Sequence, residues 1–207
     1  KPWFPERVNA STPESRGDAP AAVEHLDEMF AGNTAFNQKI NTWDVRAVKT
    51  ASGMFKDNTK FTQFLGTWFD TTSGPQTFAL EDASSMFEGS IYNNNLSKWN
   101  MNTVKNASRM FANTTEFDQY IEPWFQKDGS TISHAVENVS GIFTGAQKYN
   151  KPTGKWDLRA VTDASDMFKG TVLFNQPVSN LFKSADGIDP VGKAHGVPPG
   201  RVLGPSP

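Results

Sequence analysis

The chain has 207 residues, 37% of them hydrophobic, which is enough for one domain with a continuous core. A formal net charge of -2 with no basic stripe argues against nucleic-acid or acidic-membrane partners, and no apolar stretch approaches the ~20 residues of a membrane span. Cysteine is absent, which removes disulfides, thiol catalysis and cysteine-based zinc sites together.

Residues 1–22 hold Pro2, Pro5, Pro13 and Pro20 and read as an extended tail. The chain begins at Lys1 and lacks a signal-like apolar core, so a processed mature form or a fragment is expected.

From residue 23 to 182 one pattern recurs six times. Its beat is Met29-Phe30, Met54-Phe55, Met86-Phe87, Met110-Phe111, Ile142-Phe143 and Met167-Phe168, at intervals of 25, 32, 24, 32 and 25 residues. Repetition at this period marks stacked units that cannot bury their apolar face alone. Six residues before each pair stands an aliphatic residue (Val23, Val48, Leu80, Val104, Val136, Val161). Three before it is a small or apolar one (Leu26, Ala51, Ala83, Ala107, Val139, Ala164). That spacing predicts one face of a short helix. Two residues after the Phe come Gly32, Asp57, Gly89, Asn113, Gly145 and Gly170, types that accept the left-handed conformation of a helix end.

An aromatic residue then opens a second block: Phe36, Phe61, Tyr92, Phe117, Tyr149 or Phe174. It is followed at four by Ile40, Leu65, Leu96, Ile121 or Val178, with Thr153 the exception, and at seven by Trp43, Trp68, Trp99, Trp124, Trp156 or Leu181. So short a block predicts a brief extended strand with its large side chains turned inward. The residue after the aromatic is Asn37, Thr62, Asn93, Asp118, Asn150 or Asn175, an internal ladder bonding neighbouring coils rather than a ligand row. One position alternates in sign as Glu24, Lys49, Glu81, Lys105, Glu137 and then ends at Thr162, which places opposite charges side by side.

Two links between copies are longer than the rest. Trp68 to Leu80 and Trp124 to Val136 span twelve steps, where Trp43 to Val48, Trp99 to Val104 and Trp156 to Val161 span five. Both open with Trp-Phe and contain a glycine, Gly74 or Gly129, so both project from the same edge, two coils apart. Insertions on one face of a repeat protein are often its binding surface. Phe69, Phe78 and Phe125 are the expected anchors, with Lys127 and His134 as a polar rim. The competing expectation is that these rings fold under to cover an exposed edge. Residues 183–207 form a second tail, rich in glycine and proline. Tails of this kind are expected to be held by a partner through Trp3, Phe4, Val197, Val202 and Leu203, or else to lie back across the open ends of the repeats.

Stretches such as Phe36-Asn37-Gln38-Lys39-Ile40-Asn41-Thr42-Trp43-Asp44-Val45, followed by Val48 and Met54-Phe55, resemble the roughly 25-residue repeat of the BspA-like leucine-rich-repeat surface proteins, the mycoplasma/Listeria-type lipoprotein repeat. The resemblance covers about residues 22 to 182. It implies an α/β repeat: a right-handed, leucine-rich-repeat-like solenoid of about six coils, each a short strand plus a short helix. It also implies adhesion or binding at a cell surface. The motif carries no catalytic residues.

The remaining residues hold little chemistry. His25, His134 and His195 lack metal-ligand spacing, and no phosphate loop or nucleophile elbow is present. Asp44 and Asp157 recur beside the repeat Trp and read as turn formers, and no cofactor or metal is expected. Sequons at Asn9, Asn95, Asn106, Asn113 and Asn138 are weak evidence for secretion. The expected function is a non-enzymatic protein-binding or assembly module, a structural or linker subunit whose partners are other proteins of a larger complex. The alternative is an exported adhesin or carbohydrate-binding protein. Either setting places it outside the cytosol, at a cell surface or in an algal plastid or other organelle.

Overall fold

The structure is a computed structural model that describes residues 23–70, 77–128, 131–132, 134–178 and 181–182. Both tails, with Trp3, Phe4, Val197, Val202 and Leu203, lie outside the described residues, as does Gly74 of the first insertion.

The Met-Phe segments form chains of turns where the sequence predicts short helices. In the first copy the N–H groups of Met29, Ala31 and Asn33 donate three residues back, to the carbonyls of Leu26, Glu28 and Phe30. The alternate N–H groups, of Glu28, Phe30 and Gly32, leave the copy and donate to Ser52, Met54 and Lys56 at 2.7–2.9 Å. Later copies repeat this division. The cause is the backbone: every copy carries two residues of positive φ four apart, Glu28/Gly32, Gly53/Asp57, Ser85/Gly89, Arg109/Asn113, Gly141/Gly145 and Asp166/Gly170. A left-handed residue every fourth position stops a helix from propagating. In the first five copies the following copy supplies the missing partners for these N–H groups. The glycines and Asx residues expected to end a helix do adopt the left-handed conformation, but they close turns.

No α-helix occurs among the described residues. The regular elements are a 3-10 turn at Glu122–Phe125, with Pro123 in its first turn, and two strands. These are β1 (Lys127–Asp128) and β2 (Thr131–Ile132), antiparallel with Lys127 opposite Ile132. The blocks from Phe36, Phe61 and their equivalents form no ladder of their own. A chain of single parallel bridges runs instead through His25, Thr50, Asp82, Asn106, Asn138 and Asp163. Copies adjacent in sequence are therefore adjacent in space and in register, across both the short and the long links.

The core lies between the two blocks of every copy and continues from one copy to the next. Phe30, Phe55, Phe87, Phe111, Phe143 and Phe168 stack in a column at centroid spacings of 5.6–5.9 Å. A second column holds Phe36, Phe61 and Tyr92, and then Phe117, Tyr149 and Phe174. Within each copy the two columns meet face to face, as in Phe30–Phe36 at 3.7 Å and Phe143–Tyr149 at 3.9 Å. A fully buried Phe stabilises by about 1.5–3 kcal/mol, so these rings dominate over the exposed ion pairs between copies.

Candidate functional site

The edge carrying the two insertions is where the sequence places recognition, and its rings turn inward. Phe69, Phe78, Phe125 and His134 are all buried. Where a short link joins copies, their Trp residues stack directly: Trp43 on Trp68 at 6.3 Å and Trp99 on Trp124 at 6.1 Å. At the start of each insertion a Phe is wedged between the two Trp rings. Phe69 meets Trp68 and Trp99 edge-on at 6.3 and 5.0 Å. Phe125 meets Trp124 at 6.4 Å and Trp156 at 4.7 Å. Their carbonyls accept equivalent bonds, from Asn100 and Asp157 N–H respectively, both at 2.8 Å.

Nine residues beyond each wedge the chain returns with a second ring. Phe78 packs edge-on to Phe69 at 5.6 Å, and His134 takes the same place against Phe125 at 5.8 Å. His134 Nε2 lies 2.8 Å from the Asp157 carbonyl, while Nδ1 is buried without a partner among the described residues. The expected anchors Phe69, Phe78 and Phe125, and His134 of the expected rim, thus brace the edge from within. The physical reason is that a twelve-step link opens a gap beside the Trp column, and the nearest apolar groups fill it. Lys127 lies in β1, opposite Ile132. Phe69 holds φ 42, a left-handed conformation rare for a bulky residue, and the flanking Trp rings keep it there.

The polar rows are likewise engaged between copies. The amide oxygens of Asn37, Asn93 and Asn150 accept the backbone N–H of Thr62, Asp118 and Asn175 at 2.9–3.0 Å. Asp118 Oδ1 accepts from Asn150 N–H at 3.0 Å. Trp68, Trp99 and Trp124 donate their indole N–H to Ile40, Leu65 and Leu96 carbonyls at 2.9–3.1 Å. Lys49–Glu24 and Lys105–Glu81 pair at 2.8 Å, and the lysine holds each carboxyl below its ordinary range. Asp44 and Asp157 close turns, each accepting from the Arg two residues on. Burial pushes the Tyr92 and Tyr149 phenols up, so both stay neutral.

One repeat position forms an exposed stripe. Three residues after the leading aromatic of each copy, Lys39, Phe64, Asn95, Tyr120, Pro152 and Pro177 all face solvent. Phe64 is 50% exposed and Tyr120 38%, in a fold that buries most of its rings. Both lie in copies that precede an insertion. Phe64 folds back onto Gly66, where an added Cβ would collide with the ring. Tyr120 leans over the equivalent position, its hydroxyl donating to the Glu122 carboxylate, which also accepts from Lys155 N–H at 3.1 Å. The two rings are two coils apart, in a fold whose adjoining ring column advances 5.8–6.2 Å per coil. A column comparison could have found them, because this position is aromatic only in the second and fourth copies.

A family model described as "Mycoplasma protein of unknown function, DUF285" matches residues 76–134, which hold the third and fourth copies. No curated protein and no solved structure matches the chain. Among the described residues no helix is long and apolar enough to cross a membrane.

Proposed function

We propose that this chain is a non-enzymatic binding module of the BspA-like surface type, a right-handed, leucine-rich-repeat-like solenoid of about six coils. The in-register bridges and the continuous ring columns support the solenoid reading. The repeat motif supports the BspA-like likeness, and the match over residues 76–134 falls within the same repeats. One observation carries the binding reading: Phe64 and Tyr120 stand exposed at one repeat position, while the other aromatic columns are spent on packing. An exposed ring pair at one repeat position is a contact site in search of an occupant. The setting is outside the cytosol, at a cell surface. The alternative of a subunit within a larger assembly rests on the tails, and the stripe needs no tail.

The test is adhesion. Purified chain is incubated with cell-wall and extracellular-matrix preparations, beside a Phe64→Ala/Tyr120→Ala double variant. The wild type is expected to be retained and the double variant to wash off. Equal retention of both, or of neither, contradicts the reading.

A further inference from the structure

We infer that the stripe through Phe64, Asn95 and Tyr120 is a platform for a β-1,4-linked polysaccharide chain lying across the coils. This rests on the binding-module reading and names its ligand class. The first argument is spacing. Rings of the adjoining column advance 5.8–6.2 Å per coil, so rings on every second coil recur at about twice that. In a β-1,4-linked chain of pyranoses each sugar advances by a step close to one coil and is turned over relative to its neighbour. Every second sugar then offers the same C–H face, and the platform has a ring at every second coil.

The second argument is the shape of the surface. Phe64 lies back on Gly66, which the missing Cβ allows, and half of its side chain stays open to solvent. The Tyr120 hydroxyl is tied to Glu122, which holds that ring in place. Rings laid on a surface suit stacking against sugar C–H groups through dispersion. A polyproline peptide has a similar period, about 9 Å per turn, but its recognition uses aromatic-lined grooves, and these two rings stand on an open stripe.

The third argument is what lies between the rings. Asn95 is exposed, and its Oδ1 accepts the Ser97 N–H at 2.7 Å, so its Nδ2 is the donor it can offer a ligand hydroxyl. An amide between two rings matches a sugar whose polar edge faces the protein. The ring stripe carries no ionised side chain from Phe64 to Tyr120, which favours an uncharged polymer over an acidic one.

The experiment is a titration of the full chain, by calorimetry and by amide chemical shifts, with cellohexaose and with the hexamer of β-1,4-linked N-acetylglucosamine. At least one hexamer is expected to bind, with shifts centred on residues 64, 95 and 120, and the corresponding disaccharide is expected to bind at least tenfold more weakly because it spans one ring. Phe64→Ala and Tyr120→Ala should each weaken binding about tenfold, and Phe64→Trp should strengthen it. Phe64→Ala, whose ring bonds no buried polar group, should leave the thermal midpoint unchanged, which separates lost contact from lost fold. No hexamer binding at millimolar concentration, or binding by either alanine variant as tight as that of the wild type, overturns the inference. A proline-rich peptide that binds through Phe64 and Tyr120 in place of the hexamers also overturns it, while leaving the binding-module reading intact.

Discussion

Gly89 and Gly145 show how tightly single positions are bound to the copy before them. Both hold positive φ, 66 and 68, and a Cβ at either would run into the side chain of Asp57 or Asn113. Gly32 has φ 64 but open space around it. A left-handed conformation costs an L-residue about 1–2 kcal/mol, so Gly32→Ala should lose that much in urea unfolding. Gly89→Ala should lose clearly more, because the collision adds to the same backbone cost. Equal losses at the two glycines would show that the Asp57 contact is absent. Glu88 offers a pH test. Burial pushes its carboxyl up, but hydrogen bonds from Arg109 and Ser85 and the charges of Arg109 and Lys56 outweigh that and hold it below its ordinary range. A lowered carboxylate stabilises the fold above the ordinary pKa of about 4.3 and loses that contribution as pH falls through the lowered value. Arg109→Gln should therefore flatten the acid limb of the stability curve below about pH 4 relative to wild type.

The insertion is the element that the sequence located correctly and the structure turned inward. Its length and its Trp-Phe start were legible because repeats expose their own irregularities. The direction of its rings was not, since Phe69 and Phe125 look alike whether they reach for a partner or fill the gap beside a displaced Trp. Packing decides, and the gap is the nearer apolar surface. Phe69→Ala and Phe125→Ala should each destabilise by about 3–5 kcal/mol, read from the denaturant midpoint at constant slope. A change under 1 kcal/mol would return these residues to the surface. The Met-Phe segments failed differently. Apolar residues three apart suggest a helix, but the pattern cannot show that Ser85, Arg109 and Asp166 also adopt positive φ. Nothing in those residue types announces it, and the paired left-handed positions turn helical periodicity into a run of turns.

At the scale of the whole molecule the rings fall into two classes. The columns from Phe30 to Phe168 and from Phe36 to Phe174, with most of the Trp row, hold the copies in register and are closed to solvent beyond the first copy. Phe64 and Tyr120 belong to neither column and stand open. The column residues were legible in the sequence because each recurs in almost every copy. The open pair was not, because two aromatics among Lys39, Asn95, Pro152 and Pro177 do not register as a repeat. Binding by this pair is the central claim, and hydroxyl-radical footprinting of the intact chain tests the division beneath it. Oxidation at Phe64 and Tyr120 should be fast, while Phe55, Phe87, Phe111 and Phe143 stay unmodified, and a bound β-1,4-linked hexamer should protect only the first two. Column rings that oxidise as fast as Phe64, or a Phe64 as slow as they are, would contradict the account.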